Sequence, residues 1–196
     1  MADMEKLKQN LQKNGFAVTR FATAAQAADY LDGQIDGKTV GVGGSITILE
    51  MGLAERLRTH NTLNWHWIRD GDQTAAAACQ VYLSSVNGAA ETGELINIDG
   101  CGNRVSSGLY GHEKVYFVIG VNKVAPDYES ALWRARNIAA PKNAQRLQRK
   151  TPCAARGDRC YNCASPERIC AALVVYWKKP TSMDFEVVLV DEPLGY

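Results

Sequence analysis

The chain has 196 residues, 46% hydrophobic and 22% charged, the balance of a soluble globular protein long enough to bury a substantial core. With 22 Lys and Arg against 21 Asp and Glu, it has no electrostatic bias toward nucleic acid or an anionic membrane. No apolar run approaches the roughly 18–20 residues of a membrane span, and Met-Ala-Asp-Met-Glu-Lys lacks the basic and apolar regions of a secretory signal. A single domain over residues 1–196 and a cytoplasmic location are therefore expected, where six cysteines are not a disulfide framework.

Met4, Leu7 and Leu11 recur at helical spacing before Gly15, which predicts an amphipathic helix over residues 3–14. Thr23 and Gln26 form a capping box for a second helix, whose narrow apolar face is Ala24, Ala27, Ala28 and Leu31. Thr39–Val42 reads as a short strand ending at Gly43-Gly44-Ser45. Ser45 then caps a third helix marked by Ile46, Leu49, Leu53 and Leu57. A strand, a glycine pair and a capped helix make an anion-receptive turn, and Thr47 adds a second hydroxyl. The turn lacks the Walker lysine and a full G-x-G-x-x-G, which argues against an ordinary nucleoside triphosphate or dinucleotide site.

Leu63, Trp65 and Trp67 alternate with polar residues as a half-buried strand would, and the run Thr74–Cys79 predicts another helix. Residues 82–104, YLSSVNGAAETGELINIDGCGNR, combine two buried strands (Val81–Val86 and Leu95–Ile98) with four polar-glycine clusters. One Asn-Gly or Asp-Gly suffices for a turn, so this density points to a binding site. Val115–Val121 is apolar throughout, as a strand covered on both faces would be. Pro126-Asp127 opens a helix with Ala131, Ala135, Ile138 and Ala139 inward, and Pro141 is placed to start another. Leu173–Trp177 and Glu186–Val190 complete an α/β fold with a mixed or mostly parallel sheet flanked by helices.

Between them, residues 151–170 carry Cys153, Cys160, Cys163 and Cys170 in the spacing C-x6-C-x2-C-x6-C. Cys160 and Cys163 form a knuckle that turns two thiolates toward one centre, and the outer pair completes a tetrahedral set. Either zinc or a [4Fe-4S] cluster accepts four thiolates. Structural zinc more often shows two knuckles, so the single knuckle favours [4Fe-4S] slightly. Cys79 reads as a small core residue, whereas Cys101, between two glycines, could be a reactive thiol. The three histidines show no metal spacing, and His112 reads as part of a surface turn.

Several stretches together resemble the lactate-utilisation (LUD) domain family: GVGGSITILEMGL (41–53), SSVNGAAETGELINIDGCGNRVSSGLYG (84–111), VIGVNKVAPD (118–127), RNIAAPKNAQRL (136–147) and VLVDEPLGY (188–196). The cysteines, with Ser165-Pro166-x-Arg168-Ile169-Cys170, are similar to those of a stand-alone subgroup with a four-cysteine motif. The resemblance implies a fold like that of ribose-phosphate isomerase, glucosamine-phosphate isomerase and the CoA transferases, with the ligand over the carboxyl ends of parallel strands. It also implies a part in oxidising lactate or a related 2-hydroxy acid, as an oxidoreductase component served by an iron–sulfur partner protein. The alternative is a non-catalytic sensor of small anions, or an accessory subunit, with a structural zinc site. Self-association stays open.

Under the first reading Gly43, Gly44, Ser45 and Thr47 hold the anionic group, and Arg104 pairs with a carboxylate bidentately. Asn87, Asn97, Asn103 and Asn122 supply further donors and acceptors, while Glu91, Asp99 or Lys123 acts as acid or base. Glu91-Thr92-Gly93 resembles the glutamate–glycine element of CoA transferases at the level of fold only.

Overall fold

The structure, a computed structural model, describes residues 2–68 and 71–196. Met4, Leu7 and Leu11 form one buried stripe of α1 (Met4–Lys13), which Asp3 caps by accepting from the Lys6 amide. The next element, β1 (Ala17–Phe21), has no sequence signal: it is an edge strand, with Ala17 and Arg20 in solvent. α2 (Ala24–Gln34) starts with the expected reciprocal cap between Thr23 and Gln26. β2 (Thr39–Val42) has the expected bounds.

The single helix expected from Ile46 to Leu57 is in fact two, α3 (Ile46–Glu50) and α4 (Leu53–Leu57). Gly52 adopts φ +61°, a left-handed conformation that ends one helix and starts the next. Leu53 and Leu57 stay buried, whereas Leu49 is 52% exposed. β3 (Thr62–Trp65) stops before Trp67, and α5 (Gln73–Ala77) leads into β4 (Val81–Ser84). The polar-glycine region folds as β5 (Gly88–Ala90), β6 (Leu95–Asp99) and α6 (Asn103–Ser107). β7 (Lys114–Gly120) and the two-residue β8 (Val124–Ala125) follow.

α7 (Tyr128–Arg134) does not end before Pro141. It passes through a π turn, Ala135–Ala139, into α8 (Ala140–Arg146). Proline has no N–H for the preceding turn, and the wider π turn accommodates that loss without a break. A short α9 (Pro152–Arg156) interrupts the cysteine-rich loop, and β9 (Ala172–Tyr176) and β10 (Asp184–Val190) close the chain.

Six strands form one sheet in the order β1-β10-β7-β4-β2-β3, each neighbouring pair parallel. A smaller sheet, β8-β5-β6-β9, mixes parallel and antiparallel pairs. The architecture is thus α/β, with a mostly parallel sheet between helices. Successive residues of the central strands serve opposite faces. Val118 and Val188 pack with Leu31, Ile48 and Leu53, while Phe117, Val187 and Leu189 pack with Leu7, Leu11 and Phe16. Phe117 also meets Tyr176 and Phe185 edge-on, at 5.5 and 4.8 Å between ring centroids, which ties the small sheet to the large one. Among the described residues no helix is long and apolar enough to cross a membrane.

The winding sets the position of the site. From β2 the chain steps outward to β3, then returns past β2 to β4 and proceeds through β7 to β10. The loops leaving β2 and β4 therefore run apart, and a crevice opens at the carboxyl ends of these neighbours. Leu11 is fully buried beneath α1, so Leu11→Ala should lower stability by about 2–4 kcal/mol in urea unfolding while leaving the far side of the sheet intact.

Candidate functional site

A cavity of about 340 Å3 occupies that crevice. Gly44, Ser45 and Ile46 line it from the end of β2, and Ser85, Val86 and Asn87 from the end of β4. Ile98–Cys101, Asn103 and Arg104 close one side, Lys123 another, and the π turn and α8 contribute Ala139, Ala140, Asn143 and Arg146. Its charged lining comprises Arg104, Lys123, Arg146 and Arg149 against the carboxylate of Asp99. Such a cavity favours an anion.

Lys123 is the most constrained of these groups. The turn after β7 buries it to 4% exposure, and its ammonium donates to Thr47 Oγ1 at 2.7 Å and Ser85 Oγ at 2.9 Å. Burial, then the Arg134 and Arg104 guanidiniums, lower its pKa to about 7. Arg134, only 7% exposed, donates to the Asn122 carbonyl at 2.8 Å and to the Asn87 carbonyl. Burial lowers it to about 10. Among the described residues neither cation has an ion-pair partner within 4.0 Å. By contrast Glu186, buried toward the other end of the sheet, holds Lys114 at 3.0 Å and the Tyr30 hydroxyl at 2.8 Å. A buried charge without a counter-ion is costly, and an anionic ligand would supply one.

Asp99 lines the cavity but its oxygens are already engaged. Oδ1 accepts from the Gly100 amide at 2.7 Å, and Oδ2 from the Arg104 and Val105 amides at 3.0 and 3.2 Å. It holds the start of α6 and, through it, Arg104, whose Nη2 donates to the Ile98 carbonyl at 2.6 Å. Asn97 lies beneath, within 3.5 Å of Arg104 Nη1, and bonds the Ser85 carbonyl at 3.3 Å. Gly43 is set back from the cavity. A Cβ there would meet Tyr82 Oη at 2.6 Å and Arg104 Cγ at 3.1 Å, so its absence makes room for the arginine.

Two expected residues are used elsewhere. Glu91 accepts from the Asp3 amide at 2.8 Å and from Lys6 Nζ at 3.2 Å, which fastens α1 to the small sheet away from the cavity. Asn122 grips the last residues: its Oδ1 accepts from the Leu194 amide and its Nδ2 donates to the Gly195 carbonyl, both at 3.0 Å. His112 is no surface residue. It is 5% exposed, stacks on Tyr82 and bonds the Cys79 carbonyl at 2.6 Å.

The rim holds residues that the sequence did not mark: His66, Trp67, Arg146 and Tyr196. The Arg146 guanidinium lies 4.6 Å from the Trp67 ring centroid. Arg134 was legible in principle, since it falls on the same helical stripe as Ala131 and Ala135.

The cysteine loop adjoins the cavity wall. The Ala171 amide donates to the Asp99 carbonyl at 2.9 Å, and Ile169 lines the cavity itself. Arg168 sits among three thiols. Its Nε donates to Cys170 Sγ at 3.1 Å and its Nη1 to the Cys163 carbonyl at 2.9 Å, and Cys170, Cys163 and Cys160 all raise its pKa. The Asn162 amide donates to Cys160 Sγ at 3.3 Å, with Asn162 at φ +45°. Cys153 lies on α9, its sulfur 3.3 Å from Thr151 Oγ1. Among the described residues no three His, Cys, Asp or Glu side chains are grouped tightly enough to bind one ion as they stand. Cys101 is exposed and lines the cavity, while Cys79 is buried.

The model of the LUD domain family matches residues 4–190. Among solved structures, the crystal structure of a DUF162 family protein from Deinococcus radiodurans is similar at a TM-score of 0.52 and 10% identity, with 95% of each chain covered. At that identity the likeness is one of fold. No curated protein matches the chain.

Two outcomes test this geometry. Lys123 binds a proton more weakly in the folded state, about 7 against 10.5, so the unfolded chain holds more protons between those values. Stability should therefore rise with pH above about 7, and comparing wild type with Lys123→Met in urea across that window should isolate a contribution on the order of a few kcal/mol. Glu91→Ala should lower the melting temperature by a few degrees, on the order of 1–2 kcal/mol, without changing the affinity of any anion for the cavity.

Proposed function

Since the chain belongs to the LUD domain family, a family associated with lactate utilisation, we propose that it binds lactate or a related 2-hydroxy acid in the crevice between β2 and β4, as an oxidoreductase component. One observation carries this reading: Lys123, on the cavity wall, and Arg134, buried against the carbonyl of the lining residue Asn87, have carbonyls and hydroxyls as partners but no carboxylate within ion-pair distance among the described residues. A carboxylate bound in the cavity would give Lys123 the counter-ion it lacks.

Each lining group then has a task. Arg104 is held by the Ile98 carbonyl and by Asn97, which leaves part of its five-donor fork for a carboxylate. Ser45, Asn87 and Asn103 line the cavity, while Thr47, fully buried and not part of the lining, acts by holding Lys123. Lys123, balanced between ammonium and amine near neutral pH, is suited to take the proton of a 2-hydroxyl group. Asp99 acts through Arg104 and α6, as a positioning residue.

The four thiols belong to the same proposal. Their donor chemistry fits a thiophilic centre: the Arg168 cation already sits among three of them, and an amide is aimed at Cys160 as in a metal-bound knuckle. Cys153, Cys160, Cys163 and Cys170 would hold the centre, and a [4Fe-4S] cluster there would supply one-electron chemistry to an iron–sulfur partner protein. A second reading has its own support. The loop is stitched to β6 through Ala171 and Asp99, so a structural zinc would brace the wall of a non-catalytic anion sensor.

Calorimetric titration with L-lactate and pyruvate should show binding that falls about tenfold or more in Arg104→Ala. Affinity untouched by that change would remove Arg104 from the site, and the absence of any binding would end the proposal. For the loop, anaerobic purification with metal analysis should find iron and sulfide, with a visible absorbance that Cys160→Ser diminishes. One zinc per colourless chain would select the sensor reading.

A further inference from the structure

The surroundings of Lys123 Nζ are more specific than anion binding requires. Nζ donates to two hydroxyls, and each hydroxyl is oriented by a carbonyl: Thr47 Oγ1 donates to the Leu194 carbonyl at 3.3 Å, and Ser85 Oγ to the Val118 carbonyl. With their protons directed at those carbonyls, the hydroxyl oxygens accept from Lys123. A neutral amine has two N–H bonds, and both are taken. The remaining tetrahedral position on nitrogen is a lone pair directed away from Thr47 and Ser85, on a side chain that lines the cavity. Gly195 leaves the adjoining space free. A Cβ at that position would lie 2.7 Å from Thr47 Oγ1 and 3.2 Å from Nζ.

We infer that Lys123 is a nucleophile that forms an imine with the keto carbon of a 2-oxo acid bound in this cavity. The inference rests on the reading that the cavity accepts small carboxylic acids, and it adds a covalent step to that reading. The nitrogen lone pair attacks C2, and the carbonyl π pair moves to oxygen, which takes up a proton. The nitrogen then gives up a proton, and the new hydroxyl leaves with a proton as water while the C=N bond forms. One amine and one ketone give one imine and one water, with no change of oxidation state and no further reactant. Arg104 is placed to hold the carboxylate while Thr47 and Ser85 fix the nitrogen.

The electrostatics agree with this geometry. An exposed lysine is an ammonium at neutral pH and has no lone pair to offer. Burial and the two guanidiniums of Arg134 and Arg104 keep a substantial share of Lys123 as the free amine, against the weaker opposing pull of Glu50. A 2-oxo acid is also the oxidation product of a 2-hydroxy acid, so the same cavity would hold both.

The test uses the wild-type chain, pyruvate and sodium cyanoborohydride near neutral pH, followed by intact mass measurement and peptide mapping. One adduct per chain is expected, with the mass of pyruvate less water plus two hydrogens. It should lie on Lys123, at pyruvate concentrations that leave the exposed Lys142 and Lys178 unmodified, and excess L-lactate should suppress it. Calorimetry on the same sample separates the two ways of failing. Pyruvate that binds while the Lys123 peptide stays unmodified overturns the nucleophile and leaves the anion site standing. Neither acid binding removes the anion site, and the imine with it.

Discussion

Two positive charges buried side by side are the constraint around which this molecule is arranged. Lys123 and Arg134 come from neighbouring turns of chain, and their positions bring together four separate strand ends. Arg134 clamps the Asn87 and Asn122 carbonyls, so it fixes the loop after β4 relative to the turn after β7. Lys123 draws in Thr47 from α3 and Ser85 from just beyond β4. Cationic groups placed this way repel each other, and helix, sheet and capping interactions elsewhere must hold them there. Glu186, toward the opposite end of the same sheet, is the contrast: its buried charge is matched by Lys114 and the Tyr30 hydroxyl.

The parallel sheet makes that concentration feasible. The strands run parallel, so the carboxyl ends of β2, β4 and β7 lie along one edge of the sheet, and the loops leaving β2 and β4 run apart there. The small sheet adds a rigid wall: β6 delivers Asn97 and Asp99, and β9 pairs with it directly after the last cysteine. The thiol loop and the cavity therefore share a framework instead of being joined by a flexible arm. An ion bound among the thiols and an acid bound beside Arg104 would each act on residues 97–104.

What could be read in the sequence was local. The strand–glycine–Ser45 turn and the polar-glycine loops announce themselves within a few residues, because a cap or a close backbone approach needs a particular residue at a particular offset. Lys123 is one of three acid–base candidates in the sequence, and only the fold brings Thr47 and Ser85 to it. Glu91 could not be placed, because its partners Asp3 and Lys6 lie more than 80 residues away. The same holds for Asn122, which serves Leu194 and Gly195. Arg134 shares the inward helical stripe of Ala131 and Ala135, but the Asn87 and Asn122 carbonyls it clamps are set by the packing of α7 against β5. Strands β1, β5 and β8 are short or mixed in composition and take their conformation from the neighbours they pair with. A Gly-His-Glu sequence at a turn carries no mark of the Tyr82 ring that stacks on His112.

The place of β10 in the sheet has a consequence for how the chain assembles. It lies between β1 and β7, yet it follows both in sequence by a long interval. Until it emerges from the ribosome, the strand nearest the N-terminus has no partner in the large sheet, and β7 has one bare apolar flank. The growing polypeptide thus carries two sticky ribbons that only the arrival of Asp184–Val190 can join. Its folding is bound to be late and cooperative, dominated by long-range pairing, and dependent on protection during synthesis.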